Sequence, residues 1–465
     1  MRPVLLAGLF LSFGPLTRLA AQDPQRALER EILAEAIEVN TSDSAGNTGV
    51  LAAKLAARLE AAGFPKADIA IVGHAPRYQN LVVRYRGRAG SKKPIMLMAH
   101  MDVVDARRED WSFAPYQFRE QDGYYYGRGT SDNKAGVATL VANFIRLKRE
   151  QFVPDRDLIM VLTADEETTG DAIAWLMRER RDLIDAEYAL NTDGGGGALV
   201  QGRAQTFSVQ TAEKIYLTFT FEVRNKGGHS SIPIRDNAIY RLSAGLGRLA
   251  AFDFPVRLNE TTKAFFARAA ESETGQTAAD MRAVAATADP AAAARLAQHE
   301  AYLNSVMRTT CVATRLYGGH ADNALPQLAR ATVNCRILPD DTQSAVAAEL
   351  ARVVNDPEIV ITASDPAKPS PPSPLRADVV GPIERLVKEM WPTATVVPEM
   401  STGATDGLYV RNGGIPVYGV SAIFEEINDV RAHGRDERVG VKAFHDAATF
   451  WYRMLKALTG ADRTT

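Results

Sequence analysis

Two six-residue runs constrain what this chain can fold into more than anything else in it. Residues 94–99 (Pro-Ile-Met-Leu-Met-Ala) and 158–163 (Leu-Ile-Met-Val-Leu-Thr) are almost continuously apolar. A strand with one wet face alternates polar and apolar side chains, so a run without alternation is a strand buried on both faces. Such strands belong to a mostly parallel central sheet flanked by helices, an α/β fold. Each run also passes straight into residues of metal-ligand type, His100-Met101-Asp102 after the first and Asp165-Glu166-Glu167 after the second.

Chemistry of that kind recurs along the chain. His100 and Asp102 are two apart and share a face if the strand continues through them. The pair suits an imidazole that binds metal through one nitrogen and is oriented by a carboxylate through the other, although a polar strand end at the surface reads the same way. Three consecutive acids repel one another unless solvent or cations screen them. In a solvated loop water does so; behind an apolar strand, one glutamate can bind metal while its neighbour takes a proton from water. The run 188–191 delivers Asp193 into glycines 194–197, which would let the backbone approach a ligand closely. Residues 127–136, Gly-Arg-Gly-Thr-Ser-Asp-Asn-Lys-Ala-Gly, place Asp132 in a glycine-bounded turn just before a helical stretch, 135–149. An acid so placed could bring both oxygens to one point and bridge two ions; the same residues also make an ordinary turn and cap.

The 465 residues leave room for two cores, and a net charge of −2 gives no case for nucleic acid or an anionic membrane as partner. Residues 1–21 carry Arg2, an apolar run 4–13 and Leu-Ala-Ala at 19–21, the pattern of a secretory leader cut near Ala21; the apolar run is short for a membrane anchor. A periplasmic or secreted protein is therefore expected, with no membrane association once mature. Cys311 and Cys335 lie on two β-like runs, 309–317 and 330–338, and are read equally as a disulfide or as two buried thiols. From 215 to 362 the expected order is strand 215–224, helix 236–251, the two cysteine strands, helix 342–354 and strand 358–362. This β-α-β-β-α-β order is ferredoxin-like. Extra helix is expected in 259–308, an extended return in 364–374, a helix over 383–390, a strand at 416–420 and a closing helix at 441–458. The expected division is a leader 1–21, a catalytic domain from 22–212 and 371–465, and an inserted domain 213–370. His74, His299, His320 and His445 fit no motif and are read as structural or surface residues; Met96, Met98 and Met101 are read as core filling.

Taken together and in this order, these clusters resemble the dinuclear zinc exopeptidases and amidohydrolases, the family of glutamate carboxypeptidase, succinyl-diaminopimelate desuccinylase, aminoacylase and carnosinase. The resemblance implies a catalytic α/β domain with an inserted lid and dimerisation domain, and two Zn2+ per chain, with Co2+ or Mn2+ as other divalent possibilities. It implies metal ligands His100, Asp132, Glu167, Asp193 and His433, with Asp132 bridging. Asp102 would orient His100, Glu166 would be the general base acting on a bridging water, and the Asp132–Asn133 peptide would be cis. His229, in Asn-Lys-Gly-Gly-His-Ser-Ser-Ile-Pro at 225–233, resembles the histidine that stabilises the oxyanion across a homodimer interface. Asn323 and Arg336 match positions that bind the substrate carboxylate, and Gly403 one that offers backbone contacts. Two departures from the family pattern stand beside Asp132: Asn133 where many relatives have aspartate, and Ala135 between Lys134 and Gly136.

Asp193 stands where the family has aspartate in peptidases and glutamate in acylases, so the expected activity is that of a carboxypeptidase or dipeptidase on small peptides with a free C-terminus. The alternative is release of amino acids from N-acyl conjugates on the same centre. A non-catalytic binding protein is a third reading, and the intact Glu166 and ligand set speak against it.

Overall fold

The computed structural model describes residues 23–88, 90 and 92–460; the expected leader lies outside them. The two apolar runs form the strands Ile95–His100 and Leu158–Thr163, paired in parallel with Ile95 opposite Leu158 and His100 opposite Thr163. Their side chains divide by parity. Ile95, Leu97 and Ala99 join a core shared with the helices Pro24–Glu38, Thr48–Ala61, Lys134–Arg149, Ala377–Met390 and Val441–Leu458. Met96 and Met98 join a second core beneath the helices Asp171–Glu179 and Gly407–Asn412. Burial on both faces is what removes the alternation from the sequence.

These strands lie within a ten-stranded sheet. Leu158–Thr163, Ile95–His100, Tyr188–Asn191 and Val417–Gly419 are neighbours in that order and run parallel, so their C-terminal ends meet at one edge. The sheet is mixed, not uniform. Ile69–Ala75, Tyr78–Tyr85 and Leu158–Thr163 pair antiparallel on one side, as do Gly196–Val200 and Arg203–Glu213 on the other. Hairpins account for the outermost pair on one side, Ile69–Ala75 with Tyr78–Tyr85, and for Gly196–Val200 with Arg203–Glu213 on the other. Gln201 and Gly202 both have positive φ, the geometry of a two-residue turn that reverses the chain at once, whereas a parallel partner needs a long crossover.

That hairpin also assigns the glycine run. A Cβ on Gly195 (φ +63°) would lie 2.5 Å from the carbonyl oxygens of Ser208 and Gly419, and one on Gly197 would meet the Phe424 ring at 2.2 Å. These glycines thus admit neighbouring strands, a packing reason for them that the sequence reading did not include.

A second, four-stranded sheet is built from Ile215–Arg224, Thr310–Gly318, Leu328–Ile337 and Val360–Ala363, with every neighbouring pair antiparallel. With the helices Ala238–Ala250 and Gln343–Val354 it has the ferredoxin-like order and its own core around Phe219, Phe221, Leu242, Val333 and Leu350. Four further helices, from Glu260–Ser272 to Ala301–Met307, fill the segment expected to be helical. Cys311 and Cys335 face one another across two strands and form a disulfide, with Cα atoms 4.1 Å apart. The helix expected over 383–390 starts earlier, at Ala377, and carries Pro382 inside it. Val379, Val380, Ile383, Leu386 and Val387 make one buried stripe, and that packing outweighs the hydrogen bond proline cannot donate.

Candidate active site

In open α/β sheets, ligands bind beyond the carboxyl ends of the parallel strands. His100, the acid run after Thr163 and Asp193 after Asn191 all sit at that edge. The His100 ring is buried, with Nε2 2.8 Å from Asp132 Oδ1. Its Nδ1 faces the main-chain carbonyl of Asp102 at 3.0 Å, whereas the Asp102 carboxylate is 3.6 Å away, too far for a hydrogen bond. Burial opposes protonation of His100, but the Asp102 carboxylate, within ion-pair reach, and the Asp132 carboxylate outweigh it. The Asp102 carboxylate also accepts the backbone N–H groups of Glu166 (3.2 Å) and Glu167 (2.9 Å) and so fixes the acid run.

The other imidazole arrives from the far end of the chain. His433, on a loop with φ +61°, places Nε2 2.9 Å from Glu167 Oε2 and 3.1 Å from Asp132 Oδ2. Asp132 thus offers one oxygen to each histidine. The peptide after it is cis, as the family resemblance implies. Ligand-type atoms of His100, Asp132 and Glu167 lie within 4.8 Å of one another, and so do those of His100, Glu166 and Asp193.

With no cation bound, the acids and imidazoles here are drawn towards holding protons. Burial pushes the Asp193 carboxyl up to about 7, with Asp132 and Glu167 adding to the effect and His100 opposing it. Burial and the nearby Asp193 likewise hold Glu166 well above the usual carboxylate range. Hydrogen bonds donated by His433 to the Asp132 and Glu167 carboxylates raise its pKa to about 10. Half-buried carboxylates, two of which ionise only at a cost, beside imidazoles drawn towards protonation, form a cage that would favour a cation. Nitrogen and carboxylate oxygen donors in that arrangement suit zinc, and the residues present fit it.

A cavity of about 880 Å³ opens beside this cluster. Asp132, Glu166, Glu167, Asp193 and His433 line one side, and Tyr216, Arg336, Lys368, Gly403 and Tyr409 line the others. The Arg336 guanidinium lies 4.8 Å above the Tyr216 ring, and burial lowers its pKa. The N–H of Gly403 is already donated to Ser401 Oγ at 3.0 Å. His229 and Asn323 stand apart from the cavity. The strand pair Gly228–His229 and Ala324–Leu325 joins them, with Ser230 N donating to Asn323 O, and His229 is exposed with its Nδ1 bonded to Ser231 Oγ. His445, read as structural, is buried between Glu29 and Tyr125.

Three cavity residues escape the sequence reading. Lys368 donates to the Tyr409 hydroxyl, which itself donates to Thr169 O, so both fasten the loop after the acid run. Asp406 is buried and looks in the sequence like an ordinary helix cap, since it precedes Gly407–Asn412. Its Oδ2 has no hydrogen-bond partner among the described residues, and burial pushes the carboxyl up to about 8. In the folded protein this group therefore keeps its proton between about pH 4 and pH 8, where an unfolded aspartate has lost it. Its contribution is fully present below the unfolded pKa and is lost as pH rises through 8. Metal-free Asp406→Asn should accordingly show a flatter decline of urea midpoint than wild type between pH 5 and 8.5. Parallel curves would remove this assignment.

Comparison with known proteins decides the family. The model of peptidase family M20/M25/M40 matches residues 96–457. The chain belongs to this family. Human N-fatty-acyl-amino acid synthase/hydrolase PM20D1 is 28% identical over 383 residues, covering 80% of this chain and 75% of that protein. Probable carboxypeptidase S-like 2 of Dictyostelium discoideum is 26% identical over 405 residues, 84% of this chain and 77% of its own. Among solved structures, the M20 family metallo-carboxypeptidase Sso-CP2 of Sulfolobus solfataricus shares the fold with a TM-score of 0.69 at 17% identity, covering 93% of this chain and 99% of that one. This M20 protein is a zinc-dependent hydrolase of peptide or amide bonds.

Proposed function

We propose that the protein hydrolyses the amide bond on the acyl side of an amino acid with a free α-carboxylate, in small peptides, as a carboxypeptidase or dipeptidase. One observation carries the reading: Arg336, which forms no ion pair among the described residues, lines the same cavity as the metal-ligand cluster. A half-buried guanidinium without an anion is poised to take one from the ligand, and a planar fork matches a carboxylate. Similarity to PM20D1 supports a second reading, release of amino acids from N-acyl conjugates. Both place the same carboxylated amino acid on the amine side and differ only in the acyl group.

His100, Asp132, Glu167, Asp193 and His433 would hold two zinc ions, with Asp132 shared. Bound zinc supplies Lewis acidity, which polarises a carbonyl and brings the pKa of water towards ~7. Glu166 takes the proton of the attacking water and returns it to the leaving nitrogen, and its burial gives it the affinity to carry that proton. Arg336 anchors the carboxylate and so fixes which bond faces Glu166. Gly403 helps shape the amine-side wall. His229, exposed and remote from the cavity of its own chain, serves as oxyanion donor, with Asn323 beside it, in the site of a second copy. The exposed edge strand Thr310–Gly318, with Val312, Leu316 and Tyr317 uncovered, supports such a homodimer. A fully active monomer in sedimentation would refute that pairing. The expected leader and the disulfide both support export, since disulfides persist in oxidising compartments. Among the described residues no helix is long and apolar enough to cross a membrane.

A panel of dipeptides, longer peptides and N-acyl amino acids, assayed with the zinc-loaded protein, tests the reading. Cleavage confined to substrates with a free C-terminal carboxylate is expected. Arg336→Met should lower kcat/KM by about 10- to 150-fold, from the roughly 1.5–3 kcal/mol of a charge-assisted contact, mostly through KM. Equal cleavage of C-terminally amidated peptides would overturn it, and activity on N-acyl amino acids alone would select the second reading.

A further inference from the structure

One buried carboxylate outside the ligand set touches the site from behind. Glu437 is fully buried, four residues after His433. Its Oε2 accepts from Arg128 Nη1 at 2.7 Å and Gly129 N at 3.0 Å. Its Oε1 accepts from Ser131 N at 2.9 Å, Ser131 Oγ at 3.1 Å and Asp132 N at 3.1 Å. All five partners are donors, and all belong to residues 128–132. The backbone closes the same seam: Gly127 N donates to Glu437 O at 3.1 Å, and Arg128 Nη2 reaches His433 O at 3.4 Å.

We infer that Glu437 is a positioning residue for the metal centre, holding the Asp132 turn and the His433 loop in one fixed relation. The inference rests on the functional reading above and adds to it a residue that touches neither substrate nor metal. Asp132 and His433 come from segments about 300 residues apart in the chain, joined by the short strand pair Tyr124–Tyr126 and Arg438–Gly440. Both residues sit on irregular backbone outside that pair, where the ladder itself does not fix them. Glu437 does so at the residue that matters, because Asp132 itself donates one of the five hydrogen bonds. A carboxylate is needed because every partner is a donor. The amide of glutamine would turn an NH2 either towards Arg128 and Gly129 or towards Ser131 and Asp132, and one set would lose its acceptor. A carboxylate with several backbone N–H partners in a water-free pocket is also a stiff tether, since each partner left unbonded would be buried.

The test separates positioning from mere stabilisation. Zinc affinity is measured by competition with a chromophoric chelator, alongside kcat, KM and the thermal midpoint of the metal-free protein, for wild type, Glu437→Gln and Ser131→Ala. Outer contacts of this kind are worth about 10- to 100-fold in metal affinity. Glu437→Gln should weaken zinc binding by that factor and lower kcat more than it changes KM. Ser131→Ala, which removes only a side-chain donor, should shift zinc affinity in the same direction by a smaller factor. Wild-type zinc affinity and kcat in Glu437→Gln, whatever its thermal midpoint, would overturn the inference and leave the functional reading intact. If Glu437→Gln fails to fold, unchanged zinc affinity in Ser131→Ala overturns it instead. Failure of the wild type to bind zinc would sink the functional reading and this inference together.

Discussion

Glu166→Gln is expected to lower kcat by about 10³-fold or more while leaving the zinc content of the purified protein unchanged, because proton transfer by a positioned carboxylate contributes roughly 10²–10⁴-fold. The substitution keeps the volume and removes the proton acceptor. Three observations support that role for Glu166. It lines the cavity, its neighbour Glu167 is already engaged with His433, and burial with Asp193 nearby raises its proton affinity. A group that must accept a proton from water and then release it to an amine works best with a pKa lifted towards neutrality. The measurement pairs turnover on the best substrate of the panel with metal analysis of the same sample. Glu166 also lies within ligand distance of His100 and Asp193, so zinc lost together with activity would make it a ligand and refute its assignment as base.

The chemistry of this site was legible because it follows strands. His100, Glu166 and Glu167 follow almost continuously apolar runs and Asp193 follows the short strand Tyr188–Asn191, and parallel strands carry such residues to a common edge whatever lies between them. The side-chain directions at that edge were not legible. His-x-Asp spacing leaves open that the His100 ring nitrogen meets the Asp102 main-chain carbonyl at 3.0 Å, with the carboxylate at 3.6 Å. Glu437 lies four residues after His433, yet an acid among charged neighbours carries no mark of burial. Lys368 and Asp406 are hidden for the same reason: their position depends on a cavity assembled from segments far apart in sequence.

The fold divides in a similar way. Both-face burial and the β-α-β-β-α-β order leave strong periodic signals, and the elements that carry them are present. The antiparallel part of the large sheet leaves a weak one. Arg203–Glu213 mixes Gln, Thr and Ser with Phe207 and Val209, and its partner Gly196–Val200 begins in glycines that resemble a binding loop. Whether those glycines face a ligand or another strand is decided by Ser208, Gly419 and Phe424, which only the folded chain brings near.

Asp132→Asn should remove more than any other single ligand change. Each of its oxygens faces a different imidazole, His100 at 2.8 Å and His433 at 3.1 Å, so as the proposed bridge it would serve both halves of the centre. Asparagine keeps the shape but has one oxygen, and its NH2 can only donate, so one half loses its ligand atom outright. The charge matters as much as the count. His433 is drawn towards protonation chiefly by Asp132, and removing that carboxylate takes negative charge from a cage that needs it to attract a divalent cation. Zinc per chain after dialysis should fall from two to one or fewer, and kcat should fall at least as far as in Glu166→Gln. His433→Ala is the informative contrast, because His433 sits on a half-exposed loop and contacts Glu167 and Asp132 from one side only. It should cost one ion and leave the His100 half occupied. If Asp132→Asn kept two zinc ions, Asp132 would serve one half alone, and the two histidines would belong to separately held metals.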